Sequence, residues 1–369
     1  MPVHVHVLDP SAYTPPYDYA LCAALAAQGA QVELYTSHFS YGAVPTPEGY
    51  TRQETFYRRA TRVEDPRVRR LVKLAEHIPD MLAYRRRAAA ADVVHFQWLT
   101  VQHLDGLLLP RGRPLVITAH DILPREPRPG QHAAQRRLYE HFDAVVVHSR
   151  RGAERLIREL GLEAERVHVI PHGAFTHLAA TAEGAIAPFE TDKAVVLCFG
   201  LMRPYKGIDL LLEAWEGIEG AELWIVGMPR MDIAALRAGA PASVRWVPRF
   251  VEEQELPGYF ARADLVVLPY REIDQSGVLF TALGFGRPLL TSDVGGFPEV
   301  AESGAARTFP SGDAAALHRA LVELLGDRAA LAEMGARATA AAAGEYSWQL
   351  AAGRTLELYD SLLGENRRR

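Results

Sequence analysis

The sequence contains little cysteine, with Cys22 and Cys198 as the two thiols in 369 residues. Two cysteines are too few for a disulfide framework, and this usage favours a reducing cytoplasm. No apolar run reaches the length needed to span a bilayer, and the amino terminus has neither a basic leader nor a small-residue cleavage site. We therefore expect a cytoplasmic protein without a secretory signal.

Metal-binding patterns are also missing. The sequence has no pair of aspartates separated by one residue and no Cys/His cluster at zinc spacing. The net charge is −5, from 40 basic and 45 acidic residues, so bulk attraction to nucleic acid is not expected. The sequence therefore predicts no metal, no cofactor and no nucleic-acid partner.

The first loop of the chain lacks glycine. Residues 3–8 alternate valine with histidine, which predicts an edge or half-buried strand, and a helical pattern begins at Asp18. A dinucleotide-binding fold places a glycine-rich turn between such a strand and helix. Here the loop carries Ser11, Ala12, Tyr13, Thr14 and prolines instead. This argues against a nicotinamide-dependent enzyme.

What the sequence does contain is the pattern of two α/β domains. Its 49% hydrophobic and 23% charged residues are typical of a soluble globular protein, and its length suits two domains. Strand and helix patterns alternate up to residue 173 and again from residue 194, with an aperiodic linker at 175–192. The predicted fold is α/β, with two doubly wound, Rossmann-like domains at 1–185 and 186–347.

Residues 269–299 are predicted to form the main anion-binding segment. A buried strand ends at Pro269, a polar loop follows, and Ser276-Gly277 begins an apolar helix that ends at Gly286. Parallel sheets bind ligands at the carboxyl ends of their strands. The first turn of the helix offers unpaired N–H groups, which suit a phosphate.

Residues 50–91 are rich in arginine and interrupt the alternation. A helical stripe of apolar residues underlies part of that charge, at Val68, Leu71, Val72, Ala75 and Ile78. A solvated helical face is the interpretation that we favour. The alternative is a surface for an anionic acceptor or for peripheral contact with the inner face of a membrane.

Short motifs in a fixed order cover nearly the whole chain. They are Thr118-Ala119-His120-Asp121, Ile170-Pro171-His172-Gly173, Phe199-Gly200, Arg203, Lys206-Gly207, Ala263-Asp264, Gly286-Arg287-Pro288, Gly295-Gly296 with Glu299, and Ser347-Trp348. In order and spacing they resemble those of the retaining nucleotide-sugar glycosyltransferases of GT-B architecture, family four (glycosyl transferases group 1). The resemblance implies an acceptor-side domain and a donor-binding domain that face each other across a cleft. It also implies that a final helix, at about 348–369, packs back on the first domain.

The resemblance implies a donor-binding site in the second domain. Arg203 and Lys206, in the loop that begins at Gly200, would neutralise the diphosphate in the bound donor and as it leaves. Ser276, Gly277 and Val278 would complete this clamp with a hydroxyl and backbone amides. Arg249 and Phe250 stand where the family binds the nucleotide base.

The same resemblance places His120 of the first domain close to the transferred sugar, as a catalytic residue. Tyr17, Asp121 and His172 are expected on the acceptor side. For His120 and His172, the structural alternatives are an ordinary loop histidine and packing at a hinge.

The chain departs from the family at two glutamates that are commonly eight positions apart. Their positions fall on Ile273 and Thr281. We expect Asp274 or Gln275 to take over the contact with the sugar, with Asp274 as a catalytic residue. Thr281 would bind the ribose, more weakly than a carboxylate does.

The predicted activity is metal-independent, retaining transfer of a sugar from a UDP- or GDP-sugar to a hydroxyl of a small molecule, glycan or lipid-linked acceptor. One alternative is a nucleotide-sugar epimerase of the same architecture, which forms product without an acceptor. Another is a phosphorylase, for which no convincing pyridoxal-phosphate lysine is found. The third is a non-catalytic sugar-nucleotide-binding subunit, which binds without turnover.

Overall fold

The computed structural model describes residues 2–40, 42, 44–122, 130–180 and 185–366, with the backbone only at 102 and 103. It divides into two units, the first comprising Met1–Gly173 and Trp348–Arg369 and the second Ala174–Ser347. The division falls after Gly173 rather than after residue 185, because the next residues pack on the second unit. There Ala174 N donates to the carbonyl of Tyr346 at 2.6 Å, and Phe175 N donates to that of Phe280 at 3.2 Å. Residues 181–184 of the predicted linker lie outside the described residues.

The first unit is built on a seven-stranded parallel sheet. Its strands are β1 (His4–Asp9), β2 (Gln31–Ser37), β3 (Thr51–Phe56), β4 (Val93–Phe96), β5 (Leu115–Thr118), β6 (Ala144–Val147) and β7 (Val167–Val169). Their order across the sheet is β3-β2-β1-β4-β5-β6-β7. The prediction of an edge or half-buried first strand is therefore wrong, because β1 lies inside the sheet between β2 and β4 and Val5, Val7 and Leu8 are fully buried.

Helices cover both faces of this sheet. They are α1 (Pro15–Ala27), α2 (Pro66–Arg87), α3 (Gln102–Leu108), α4 (Gln131–Tyr139) and α5 (Arg150–Arg155, extended by a π turn at Leu156–Leu160), with short 3-10 turns at Ala60–Arg62, Ala88–Ala90 and Ala164–Arg166. Apolar side chains on the two faces form separate cores, one containing Phe96 and Phe142 and the other containing Val7 and Leu25.

Helix α2 turns a different face to the core from the one predicted. The side chains that it buries are His77, Met81 and Tyr84. The predicted stripe lies largely on the surface, with Leu71 69% exposed and Val68 48% exposed. The stripe has helical spacing, but the residues that pack on the core lie on another side of the helix. Within the described part of the chain, no helix combines the length and low charge required to cross a membrane.

The second unit repeats the pattern with six parallel strands. They are β8 (Ala194–Phe199), β9 (Ala221–Val226), β10 (Val244–Val247), β11 (Leu265–Leu268), β12 (Leu289–Ser292) and β13 (Ala306–Phe309). Their order is β10-β9-β8-β11-β12-β13. The helices are α6 (Thr176–Ala180), α7 (Ile208–Trp215), α8 (Ala234–Gly239), α9 (Leu256–Phe260), α10 (Gly277–Gly284), α11 (Phe297–Ala301), α12 (Ala314–Gly326) and α13 (Arg328–Ala343), with 3-10 turns at Pro204–Lys206 and Glu253–Glu255.

The last helix, α14 (Trp348–Asn366), returns to the first unit. Its Ala352 and Tyr359 are fully buried in the core formed with α1, where they join Leu21 and Cys22. A methyl group on Gly173 would lie 2.3 Å from the Trp348 indole, so only glycine allows the ring to pack there. Residues 367–369 lie outside the described residues.

Each sheet reverses its winding direction beside its first strand, between β1 and β4 in the first unit and between β8 and β11 in the second. Ligands of doubly wound folds bind at the carboxyl ends of the strands at such switch points. The loops after these four strands are therefore the places to look for function.

Candidate active site

A cluster of aromatic rings lies at the carboxyl edge of the first sheet. The His120 ring stacks on Trp98, with centroids 5.2 Å apart and planes 15° apart. The same ring meets Tyr17 edge-on at 4.7 Å. His148 lies 5.2 Å from His120, and His172 lies 5.3 Å from His148. The strand ends after β4, β5, β6 and β7 thus bring Trp98 and three histidines together, as expected for parallel strands.

Hydrogen bonds fix how these histidines share their protons. His148 Nδ1 lies 3.0 Å from the Ile170 carbonyl, which accepts only, so this nitrogen carries the proton and Nε2 keeps its lone pair. His120 Nδ1 lies 3.4 Å from that Nε2 and can donate to it. His120 Nε2, 3.0 Å from the side-chain amide of Gln97, is then an acceptor. The structure places Gln97 Oε1 at that position, so turning the amide by 180° brings its NH₂ group to His120 Nε2 and gives the otherwise unpartnered Gln97 nitrogen an acceptor.

Burial keeps this cluster neutral. Desolvation, followed by the effect of His148, His172 and His95, holds the pKa of His120 well below its usual range. Desolvation also lowers the pKa of His148 to about 4. A neutral imidazole at pH 7 exchanges hydrogen bonds with a hydroxyl and provides no permanent positive charge. His120 is half-buried, with part of its ring exposed to solvent.

The predicted acceptor-side residues have different positions. Tyr17 is only 5% exposed and touches His120, His148, His172 and Trp348 with its ring. Tyr17 thus supports the histidines from beneath, and its predicted acceptor contact stays a prediction. His172 is buried, with Nδ1 2.7 Å from the Gly173 carbonyl. Asp121 is exposed at the start of the segment 123–129, which lies outside the described residues.

The loop after β1 is organised by a buried carboxylate. Asp9 accepts hydrogen bonds from the backbone N–H groups of Ser11, Tyr13 and Thr14. Burial, the neighbouring charge of Asp9 and a hydrogen bond to Asp9 raise the pKa of the Asp18 carboxyl well above its usual range. This loop positions the aromatic cluster, because the Thr14 hydroxyl accepts a hydrogen bond from Trp98 Nε1 at 2.9 Å.

In the second unit, Lys206 lies beneath the loop after β8. The residue is 8% exposed, and its Nζ donates to the Tyr270 hydroxyl at 2.5 Å while lying 3.9 Å from the centre of the Tyr270 ring. That hydroxyl is 3.5 Å from Ser276 Oγ, at the start of α10. An ammonium, a phenol and a hydroxyl are thus aligned at the switch point between β8 and β11. The predicted proximity of Lys206 and Ser276 is confirmed.

Two glycines permit this close approach. Gly207 has φ +67°, and a methyl group on it would lie 2.0 Å from the Pro269 carbonyl oxygen, so the loops after β8 and β11 touch only because it has no side chain. A methyl group on Gly200, at φ +114°, would lie 3.2 Å from Val278 and 3.6 Å from Lys206 Nζ. The predicted donor residues Gly200, Lys206 and Val278 are therefore neighbours.

Arg203 lies in the same loop with its side chain exposed, and within the described residues no side chain pairs with it. The turn that follows is held by Arg271, which sequence reasoning did not single out. Arg271 binds the Asp209 carboxylate through two contacts of 2.8 Å and donates to the Pro204 carbonyl at 3.0 Å. This fixes the turn while leaving the Arg203 guanidinium available to an anion.

Helix α10 begins without a side-chain cap. Ser276 is at the N-cap position, but its hydroxyl accepts no hydrogen bond from the first turn. Gly277, the first helical residue, is exposed and Val278 is half-buried. The positive end of the α10 dipole thus opens beside Lys206.

The residues proposed to replace the family glutamates differ in their surroundings. Asp274 and Gln275 are half-buried, and their loop is fixed by the next one, since Gly296 N donates to the Asp274 carbonyl at 3.0 Å. Ile273 is buried in the core. Thr281 is also buried, and its hydroxyl donates to the Gly277 carbonyl at 2.9 Å, one turn earlier in its own helix. The Thr281 proton is thus committed within α10, so its oxygen can only accept from a ribose hydroxyl, and the ribose contact stays a prediction.

Arg249 and Phe250, both predicted to hold the nucleotide base, have different surroundings. Both guanidinium arms of Arg249 contact the Glu255 carboxylate, and this pairing lowers the pKa of Glu255 to about 2. Arg249 thus braces its loop. The Phe250 ring is 38% exposed and offers a face for stacking.

Sequence reasoning missed three residues that position this machinery: Trp98, Tyr270 and Arg271. The available signal was their location, since each directly follows or nearly follows a buried strand at a switch point. An aromatic or basic residue there belongs to the ligand-binding edge more often than one inside a helix.

Known proteins resemble both units. The family model for glycosyl transferases group 1 matches residues 193–327, and the one for glycosyltransferase family 4 matches residues 17–177. The D-inositol 3-phosphate glycosyltransferase of Nocardia farcinica is 30% identical over 309 residues, which cover 74% of this chain and 67% of that protein. The GDP-mannose:glycolipid 4-beta-D-mannosyltransferase of Xanthomonas campestris pv. campestris is 28% identical over 249 residues, covering 60% and 68%.

Solved structures share the fold. Anabaena HepE in complex with UDP-glucose matches with a TM-score of 0.74 at 18% identity, over 97% of this chain and 99% of that one. Two parallel-sheet units of this strand order and these matches identify the fold as GT-B. The chain belongs to the group 1 glycosyltransferases and is an enzyme that transfers a sugar from a nucleotide-sugar donor.

Proposed function

We propose that this enzyme transfers a sugar from a UDP- or GDP-sugar to a hydroxyl group with retention of configuration and without a metal ion. The observation that carries the proposal is the alignment of Lys206, Tyr270 and Ser276 at the uncapped start of α10. A buried ammonium beside a helix N-terminus is an arrangement suited to a diphosphate.

The donor site is assembled around that ammonium. Lys206 binds one phosphate and Arg203, exposed in the same loop, binds the other. The N–H groups of Gly277 and Val278 add the helix dipole. Two cations supply the charge that a metal ion provides in other transferases, so the mechanism requires none. Phe250 stacks on the base, and Asp274 or Gln275 binds the sugar hydroxyls.

The acceptor hydroxyl binds at the carboxyl edge of the first sheet. His120, held neutral by its surroundings, exchanges a hydrogen bond with a hydroxyl of a sugar substrate. Trp98 fixes the plane of His120 by stacking on it, and Tyr13, 54% exposed and edge-on to Trp98 at 5.4 Å, extends the aromatic surface. Aromatic faces suit the apolar faces of sugar rings.

We propose the following chemistry for these residues. The bond between the anomeric carbon and the diphosphate oxygen breaks, and the acceptor oxygen bonds to that carbon on the same face. The acceptor proton passes to an oxygen of the departing diphosphate, so no protein base is needed. Arg203 and Lys206 stabilise the negative charge that develops on the leaving group.

The names of the relatives direct the choice of substrates. The Xanthomonas relative is named for GDP-mannose and a glycolipid, the Nocardia relative for an inositol phosphate, and the Anabaena structure contains UDP-glucose. We infer that the acceptor of this enzyme is a polyol, glycan or lipid-linked hydroxyl. The donor is identified by measuring melting temperature in the presence of UDP, GDP, ADP and their sugars, since a ligand at about 100 times its Kd adds about 2.7 kcal/mol of stability.

Helix α2 offers a surface for a lipid-linked acceptor. Five apolar side chains share one exposed face of this helix: Val68, Leu71, Leu74, Ile78 and Leu82. Exposed arginines, including Arg67 and Arg70, flank them. An apolar stripe bordered by arginine suits an anionic lipid surface. We propose that α2 makes a peripheral contact with the inner face of a membrane.

Vesicle sedimentation tests this contact. Wild-type protein is expected to sediment with anionic vesicles and much less with neutral ones. Leu71→Asp should lower the bound fraction several-fold, whereas Val322→Asp, at a 49% exposed valine of α12, should leave it unchanged. Equal binding by wild type and Leu71→Asp would exclude α2 as the contact.

The activity itself is tested by transfer to simple polyol and glycoside acceptors, followed by NMR of the anomeric proton. Product with the donor's anomeric configuration supports retention, and inverted product contradicts it. An epimerase would form a new nucleotide sugar without an acceptor. A non-catalytic subunit would bind the nucleotide without turnover. With no turnover to lose, His120→Ala would have no effect.

A further inference from the structure

Two histidines and a glutamate converge at the amino-terminal end of the first sheet. His4 and His6 are two residues apart on β1, so their side chains share one face of the sheet. Glu33 is the residue of β2 that pairs with His6. His4 Nε2 lies 3.0 Å from Glu33 Oε1 and His6 Nε2 lies 3.8 Å from it, and the three ligand atoms all lie within 4.8 Å of one another.

The other polar atom of each side chain already has a partner. His4 Nδ1 lies 2.8 Å from the Ala90 carbonyl, and Glu33 Oε2 accepts from the Tyr35 hydroxyl at 2.8 Å. His6 Nδ1 lies 3.3 Å from the Tyr84 hydroxyl. These contacts orient the remaining atoms, His4 Nε2, His6 Nε2 and Glu33 Oε1, towards a common point, as outer-shell groups do around bound metals.

These contacts leave lone pairs and a carboxylate at the common point, without a positive charge to balance them. The Ala90 carbonyl accepts only, so His4 Nδ1 carries a proton and a neutral His4 would turn a lone pair towards the Glu33 carboxylate. His6 Nε2 is buried and has no hydrogen-bond partner among the residues that the structure describes, and the His6 side chain is 1% exposed. A buried polar atom without a partner costs about 1–3 kcal/mol and calls for an explanation.

We propose that His4, His6 and Glu33 form a binding site for a divalent zinc-class metal ion, separate from the sugar-transfer site. The ligand set of two imidazoles and one carboxylate suits zinc. A tetrahedral zinc ion with bonds of about 2.0–2.1 Å places its ligand atoms about 3.4 Å apart, between the two distances of 3.0 and 3.8 Å that join Glu33 to the histidines. The two imidazole Nε2 atoms lie within 4.8 Å of each other, so rotation of the rings would complete the geometry.

The surroundings leave room for a fourth ligand and set the limit on affinity. The side chains of His4 and Glu33 are 17% and 23% exposed, so a water molecule can complete the coordination. The positive charge of Arg113 acts on His6 and opposes a bound cation. A site with three protein ligands and an opposing arginine binds zinc reversibly.

The site is remote from the proposed chemistry within its own unit. His4 begins β1 and Asp9, at the sugar-binding edge, ends it. Five residues of strand separate them, a distance of about 16 Å. A bound ion would link β1 to β2 and to the turn at Ala88–Ala90, next to the end of α2. Its expected effect is on the stability of the first unit.

Zinc titration of the metal-stripped full-length protein tests the proposal, by competition with a chromophoric chelator. Wild type is expected to bind one zinc ion. Glu33→Gln and His6→Phe should each bind zinc at least a hundredfold more weakly. His38→Ala, at an exposed histidine that contacts Glu54 instead, should bind like wild type. Tyr35→Phe removes the outer hydrogen bond to Glu33 and should weaken binding by about 10–100-fold.

Further measurements test the opposing charge and the ligands of the site. Arg113→Gln should tighten zinc binding, because it removes the opposing charge. X-ray absorption at the zinc edge should show two imidazole nitrogens. His6 lies in the core, so the melting temperature of metal-free His6→Phe is compared with that of wild type, and Glu33→Gln, at a partly exposed side chain, provides the independent test. Failure of wild type to bind zinc, or equal binding by Glu33→Gln, would overturn the proposal.

Discussion

Replacing Lys206 with methionine removes the positive charge of the proposed donor site and keeps most of its side-chain volume. A charge-assisted hydrogen bond contributes about 1.5–3 kcal/mol, which is about 10–150-fold in Kd. Lys206 is 8% exposed, so water screens its charge weakly and we expect the upper half of that range. The folded state should change little, because the Tyr270 hydroxyl keeps Ser276 Oγ within 3.5 Å and the buried ammonium no longer needs desolvation.

Isothermal titration with UDP and GDP at one ionic strength measures the loss. Lys193→Met is the matched control, since Lys193 is an exposed lysine of the same unit whose backbone carbonyl, rather than its side chain, contacts Arg262. Wild-type affinity is expected for the control. If Lys206→Met keeps its melting temperature and binds the diphosphate within twofold of wild type, the diphosphate does not bind at Lys206.

Three other predictions concern backbone, protonation and specificity. Gly207→Ala should lower the free energy of unfolding by at least about 1–3 kcal/mol in urea, because its methyl group would lie 2.0 Å from the Pro269 carbonyl at φ +67°; Gly217→Ala, at φ +76° with open space, isolates the backbone strain. The unfolded chain takes up a proton on His148 near pH 6.5, whereas the folded chain does so near pH 4, so stability falls as pH falls between these values. His148→Gln should flatten that slope by up to about 1.4 kcal/mol per pH unit, measured by urea unfolding at several pH values. Thr281→Val should bind UDP and GDP within twofold of wild type in the isothermal titration, since the Thr281 hydroxyl is bonded within α10. A tenfold loss of affinity would support the predicted ribose contact.

The strand ends and their loops could be predicted from the sequence because apolar runs, glycines and prolines mark them directly. The strand predicted at residues 3–8 is observed at His4–Asp9, and the strand predicted to end at Pro269 ends at Leu268. Strand β3 was missed because Thr51–Phe56 is an edge strand that carries arginine and glutamate. An edge strand with charged side chains lacks the apolar pattern by which strands are found.

The site was predictable in position and less so in detail. The order of motifs brought Lys206, Ser276 and His120 to the correct strand ends, but not the side chains that orient them. Whether Thr281 has a free hydroxyl depends on a bond within its own helix, and the spacing of residues says nothing about that bond. The prediction of which face α2 buries was wrong for a similar reason. Its two sides are both partly apolar, and only packing against the sheet decides between them.

The buried Asp9 fills the loop after the first strand of the first unit. The N–H groups of Ser11, Tyr13 and Thr14, which could otherwise hold a phosphate, donate to its carboxylate. In the second unit the corresponding loop, after β8, carries Arg203 and Lys206 instead. The aspartate thus takes, within the chain, the place that an anionic ligand would take. We therefore expect the loop after β1 to disfavour a phosphate, which suits this edge of the first sheet to an uncharged hydroxyl compound.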